Sequence, residues 1–171
     1  MSPSRLVIRI LFIASSVLAA CSRTDSDNPR PASESNTLHA EPLAGKVRVV
    51  HATRGEVGAL IKDELARAKS DKRQLLVYIG ATWCEPCQRF HHAVEQGKLD
   101  KQFPDLTLVE FDMDADGQRL EIAGYAPGLI PYFGVPGVDG RATGRGISGS
   151  IKGDGAVEDI IPRLKELLAG S

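Results

Sequence analysis

Five consecutive apolar residues, Leu75 to Ile79 (LLVYI), run through Gly80-Ala81-Thr82 into Trp83-Cys84-Glu85-Pro86-Cys87. An apolar run of this length between polar neighbours offers no wet face, so it fits a central strand covered on both sides. After Cys84 the period changes. Cys87, Phe90, His91 and Val94 share one helical face, and Gly97 supplies a stop. A buried strand that feeds directly into a helix requires covering layers on both faces of a sheet.

The remaining apolar pattern supplies those layers. Val47 to Val50 reads as a short strand. Thr53-Arg54-Gly55-Glu56 fits a capping box, and Val57, Leu60, Ile61, Leu65 and Ala68 follow at helical spacing, predicting a helix from about Gly55 to Ser70. Leu106 to Met113 is a second long strand, Gln118 to Ala123 a short helix, and Tyr132 to Val135 a third buried strand. The turn residues Pro136 to Gly140 lead to an edge strand around Ala142 to Ser148. Val157, Ile160, Ile161, Leu164, Leu167 and Leu168 then fall on one helical face. Pro162 lies inside that pattern, either kinking the helix or marking its first turn. The order β, α, β, α, β, α, β, β, α describes an α/β sandwich around a central sheet.

The cysteine pair sits where chemistry would want it. The N-terminus of a helix exposes unpaired N–H groups and a partial positive charge, which stabilise a thiolate. Cys84 is therefore the expected nucleophile. Cys87, one turn on, can attack a mixed disulfide at Cys84 and release the reduced substrate. Pro86 suits the first turn, where its missing N–H costs little. Other uses of the pair fit less well. A structural disulfide three residues apart stabilises little, a zinc site needs two more ligands, and haem attachment needs histidine where Gln88 stands. Copper coordination by the two thiolates with His91 or His92 stays open, because soft sulfur plus imidazole suits that metal. Against it stands the surface role that adjacent histidines on a helix usually have. No metal is assigned among the site residues, and no cofactor is expected.

The N-terminus reads as an address. Met1 to Arg9 is basic, and Ile10 to Ala20 is an unbroken run of apolar and small residues, as in a signal peptide. Eleven helical residues rise about 16 Å, well short of the roughly 30 Å hydrocarbon core of a bilayer. The run ends in Leu18-Ala19-Ala20-Cys21, which resembles the lipobox of bacterial lipoproteins, in which the cysteine is acylated. Several acyl chains on Cys21 would hold the chain on a lipid bilayer. Ser22, where some sorting signals carry aspartate, favours the outer membrane by resemblance to enterobacterial sorting. Ser22 to Gly45 is rich in Ser, Asp, Asn, Pro and Glu without an apolar period, and reads as a flexible tether spanning roughly 25–30 Å. The expected division is thus signal peptide 1–20, lipidated cysteine and tether 21–45, and folded domain 46–171. Cleavage before Cys21 removes Arg5 and Arg9 and takes the net charge from −1 to −3, which gives no reason to expect nucleic acid as a partner.

Leu75 to Cys87 resembles the active-site strand and turn of thioredoxin, and the likeness extends over most of Lys46 to Ala169. It implies a thioredoxin-like fold with a central mixed sheet flanked by helices. Ile130-Pro131, which follows Tyr125 at the family's spacing, matches the family's cis-proline, whose loop faces the cysteines and receives the substrate backbone. Trp83, Ile130 and Pro131 become the implied substrate-binding residues, with Trp83 a lid beside the cysteines. Two positions depart from the pattern. Tyr78 stands where the family has a buried aspartate, so the usual proton acceptor for Cys87 is missing, and Glu110 on the neighbouring strand is the candidate substitute. Glu85 lies between the cysteines, where its charge opposes thiolate formation on Cys84 and pushes the pair away from strongly oxidising behaviour.

The expected activity is a membrane-anchored, periplasm-facing thiol:disulfide oxidoreductase that reduces or isomerises protein disulfides through Cys84 and Cys87. Its expected partners are disulfide-containing proteins of the cell envelope and a membrane or periplasmic thiol electron donor, with the chain itself a monomer. A copper metallochaperone, a cytochrome maturation factor and a redox-inert binding module on the same fold are the alternatives.

Overall fold

The computed structural model describes residues 45–170. The leader, Cys21 and the tether as far as residue 44 lie outside the described residues, and so does Ser171. Nine elements follow in the expected order: β1 (Arg48–His51), α1 (Val57–Ser70), β2 (Gln74–Gly80), α2 (Glu85–Glu95), β3 (Leu106–Asp112), α3 (Met113–Ile122), β4 (Tyr132–Pro136), β5 (Ala142–Ser148) and α4 (Ala156–Ala169).

The strands form one mixed sheet in the order β1-β3-β2-β4-β5. β1, β3 and β2 run parallel, and β4 and β5 join antiparallel. β2 is central, and its side chains alternate between two cores. Leu76 and Tyr78 meet Phe90 and Ala93 of α2 and Ile160 and Leu164 of α4. Leu75, Val77 and Ile79 meet Val57, Ile61 and Ala68 of α1 and Leu120 of α3. Both faces being covered accounts for the unbroken apolar run. No helix among the described residues is long and apolar enough to cross a membrane.

Three details differ from the sequence pattern. α1 starts at Val57, not Gly55, and Glu56, not Thr53, is its cap: the Glu56 carboxylate accepts from the Gly58 N–H at 2.9 Å and from the Ala59 N–H. Gly55 has φ +139°, outside the helical region, so the chain cannot enter the helix before it. α3 begins five residues earlier than its apolar period suggests, because Asp112 at the end of β3 accepts from the N–H groups of Asp114 and Ala115, each at 2.9 Å. α4 runs through Pro162. Pro162 and Glu158 are both exposed, so the carbonyl deprived of its donor lies on the wet side of the helix.

Candidate active site

β2 delivers the chain to the site. Past Gly80 it turns, with the Cys84 N–H donating to the Ala81 carbonyl at 3.1 Å, and Cys84 becomes the N-cap of α2. The Cys84 sulfur accepts the Cys87 N–H at 3.3 Å. The two cysteines form a disulfide, with Cα atoms 5.2 Å apart. The first sulfur is thus held at the positive end of the helix, as expected for a nucleophile.

Cys84 opens onto a groove of about 520 Å³. Trp83 and Cys84 form one side, Leu129 and Ile130 another, and the loop joining β5 to α4 a third. Ile130 and Met113 pack against the buried cluster of Ala81, Cys84 and Cys87. The Ile130-Pro131 bond is cis, as its spacing from Tyr125 suggested, and the Pro131 carbonyl accepts the Gly149 N–H at 2.8 Å, joining this turn to the third wall. Trp83 stands 65% exposed at the rim, its Nε1–H donating to the Asp114 carboxylate at 2.8 Å.

Glu85 is not a lone charge beside Cys84. Its carboxylate is bonded to Arg89 one turn along α2, and both of its oxygens take the Gly153 N–H, at 3.3 and 3.2 Å. The Arg89 bond comes first among the causes that hold the Glu85 carboxyl below its ordinary range. The guanidinium carries the opposite charge and opposes the field of the carboxylate, so the effect of Glu85 on the thiolate is weaker than that of an unpaired carboxylate. Arg89, Gly153 and Asp154 were not singled out by sequence. The Glu85-Arg89 spacing of four was the available signal for the first.

Cys87 has different company. Tyr78, only 1% exposed, lies under it. A Cβ added to Gly80 would stand 2.7 Å from the Tyr78 hydroxyl and 3.5 Å from Cys87 Cβ, so both side chains border the space that glycine leaves. The Tyr78 ring packs on Phe133 and Phe90, with centroids 5.0 and 5.5 Å away, and His91 meets it edge-on. Its hydroxyl has no hydrogen-bond partner among the described residues, and burial holds it protonated, far above its ordinary range.

Glu110 pairs in register with Tyr78 on the neighbouring strand. Its carboxylate is 2.5 Å from His91 Nε2 and 2.9 Å from His51 Nδ1, and it lines a second cavity of about 440 Å³ rather than the Cys84 groove. The hydrogen bond to Glu110 raises the His91 pKa against the opposing effect of burial. His92 points elsewhere, its nearest carboxylate being Glu95 at 3.8 Å. Among the described residues no group of three or more His, Cys, Asp or Glu is placed to hold a metal ion.

Residues 59–133 match the family model described as thioredoxin-like. Among solved structures, oxidised thioredoxin O1 from Arabidopsis thaliana is 22% identical, aligning 73% of this chain with 96% of its own at a TM-score of 0.42. Trichomonas vaginalis thioredoxin is also 22% identical, over 72% and 97%, with a TM-score of 0.46. No curated protein sequence gives a significant match. The mixed sheet with its helix-capping Cys84–Cys87 pair is a thioredoxin-like fold, and residues 59–133 within it are similar to the thioredoxin-like family.

Proposed function

We propose that this domain reduces or isomerises disulfides in proteins of the cell envelope, the finer form of the thiol oxidoreductase chemistry that its fold and cysteine pair support. The observation that carries the reading is the placement of Cys84 at once on the helix N-terminus and on a groove walled by Ile130 and the cis-Pro131 turn. Trp83, Leu129 and Ile151, each more than half exposed, rim that groove. Such a rim suits an extended polypeptide with apolar side chains beside its cysteine.

In the reducing direction the Cys84 thiolate attacks a substrate disulfide. One substrate sulfur leaves as a thiolate and a mixed disulfide forms at Cys84. Cys87 loses its proton and attacks the Cys84 sulfur, breaking the mixed disulfide and releasing the second substrate thiolate. The substrate gains two electrons and the domain ends as the Cys84–Cys87 disulfide, which a thiol donor must reduce again. Glu110 is assigned as acceptor of the Cys87 proton, on the strength of its place beside Tyr78, with His91 and His51 linking it outward.

Cys84→Ser should abolish reduction of insulin disulfides, and Cys87→Ser should accumulate a substrate linked to Cys84. Full insulin reduction by Cys84→Ser would end this reading. The anchorage belongs to the same proposal: Cys21 carries the acyl chains and holds the domain on the periplasmic side of the outer membrane. Cys21→Ser should then appear in the soluble fraction with an unchanged redox potential. A variant that stays in the membrane fraction would point to an uncleaved leader instead.

A further inference from the structure

The loop between β5 and α4 carries Ile151 to the rim of the groove and is fastened on two sides. Toward α4, the Ser150 hydroxyl donates to the Ala156 carbonyl at 2.9 Å, and Arg163 donates to the carbonyls of Gly149 and Ser148, both at 2.8 Å. Toward α2, the Glu85 carboxylate accepts from the Gly153 N–H, and Arg89, itself bonded to Glu85, reaches Asp154 at 2.6 Å. A residue between the two cysteines therefore spans from the active-site helix to the opposite wall.

We infer that Glu85 is a positioning residue that latches the β5–α4 loop to α2 and thereby fixes the substrate-facing wall of the groove. This rests on the protein-disulfide reading above, and it assigns Glu85 a task separate from the charge it places near Cys84. The latch matters for a substrate long enough to lie along the groove. A small disulfide that reaches only the sulfur does not need that wall. Loosening the loop should therefore weaken capture of a polypeptide and leave the exchange step alone, because the helix N-terminus that stabilises the thiolate is untouched.

Two variants separate the latch from the charge. Glu85→Gln and Glu85→Ala remove the same negative charge, but only glutamine keeps an oxygen that can accept the Gly153 N–H. In the full-length chain, Glu85→Ala should raise KM for insulin about three- to tenfold, the scale of one lost hydrogen bond, with kcat within about twofold. KM for a small aromatic disulfide, 5,5′-dithiobis(2-nitrobenzoic acid), should be the same in the two variants, which have lost the same charge. Amide exchange at Gly153 in the oxidised protein should accelerate in Glu85→Ala and stay near the parent rate in Glu85→Gln, while the Cys84 thiolate pKa shifts equally in both. If the two variants agree in KM and in Gly153 exchange, Glu85 acts through charge alone and the latch is refuted. Gly153 exchange is read without turnover, so it decides the latch even if no variant, nor the parent, reduces insulin.

Discussion

Cys84 and Cys87 lie one helical turn apart and are almost equally hidden, at 4% and 1% exposure, yet their surroundings differ in kind. Around Cys84 the contacts are polar and adjustable: a backbone N–H on the sulfur, ion pairs across Glu85 and Arg89, and a loop held by single hydrogen bonds. On the Cys87 side, across Gly80, stands an aromatic cluster in which Tyr78, Phe90 and Phe133 pack against one another. The difference suits unequal tasks. On the proposed reading Cys84 is the attacking sulfur and meets substrates of varied shape, which loop walls accommodate. On the same reading Cys87 is the resolving sulfur, whose one partner is Cys84, and the aromatic cluster across Gly80 gives it a rigid seat.

Breaking the rigid seat should have the largest effect. Gly80→Ala places a methyl 2.7 Å from the Tyr78 hydroxyl and 3.1 Å from its Cζ, and the ring is buried and packed on Phe90 and Phe133. Since the ring is buried, the clash cannot be relieved into solvent, and the substitution should cost about 1–3 kcal/mol, the usual range for an overpacked core. Urea denaturation of the oxidised protein measures it. A cost under about 0.5 kcal/mol would mean that the ring can step aside, and the contrast between the cysteines would lose its rigid half.

The same contrast shows what the sequence could disclose. The order of elements, the strand that carries the site and the helix that starts at Cys84 were all legible, because each depends on a local period or a turn residue. The limits of α1 and α3 were less so. Gly55 sets one through a backbone angle, and Asp112 sets the other through a side-chain cap with little apolar pattern behind it. At the site, Cys84, Cys87 and the cis-Pro131 turn were readable from spacing and family likeness. The Glu85 ties to Gly153 and the seat of Tyr78 under Cys87 were not, since one joins residues 68 positions apart and the other depends on the empty side of a glycine. The ion pair that offsets Glu85 lay at helical spacing and could have been anticipated.

A smaller effect tests the edge of the seat, where His91 leaves the aromatic cluster for Glu110. Its pKa is raised in the folded protein, chiefly by that hydrogen bond. A group with a raised native pKa gives its stabilisation in full below its unfolded value, about 6.5, and loses it as pH rises through the native value. His91→Asn should therefore destabilise more at about pH 5.5 than at about pH 9. The difference should stay under about 1 kcal/mol, because the pair is partly open to solvent and screened. Urea midpoints of parent and variant at the two pH values give the result. An equal loss at both would show that the imidazole contributes packing against Tyr78 and no charge.

The smallest expected effect is the most informative about the seat itself. The Tyr78 hydroxyl is buried and lacks a hydrogen-bond partner among the described residues, while the ring below it supplies the packing. Phenylalanine keeps the ring and removes only the desolvated oxygen. A lone buried hydroxyl has given up its water and gained nothing in return, so Tyr78→Phe should leave the oxidised protein as stable as the parent or more stable by up to about 1 kcal/mol. Two-state urea unfolding of the oxidised form, with the disulfide intact, measures this directly. A loss of more than about 1 kcal/mol would mean that the hydroxyl does have a partner in solution, an internal water or the Glu110 carboxylate beside it. The seat of Cys87 would then be a polar network like that of Cys84, and the two sulfurs would differ in their tasks but not in the kind of surroundings that support them.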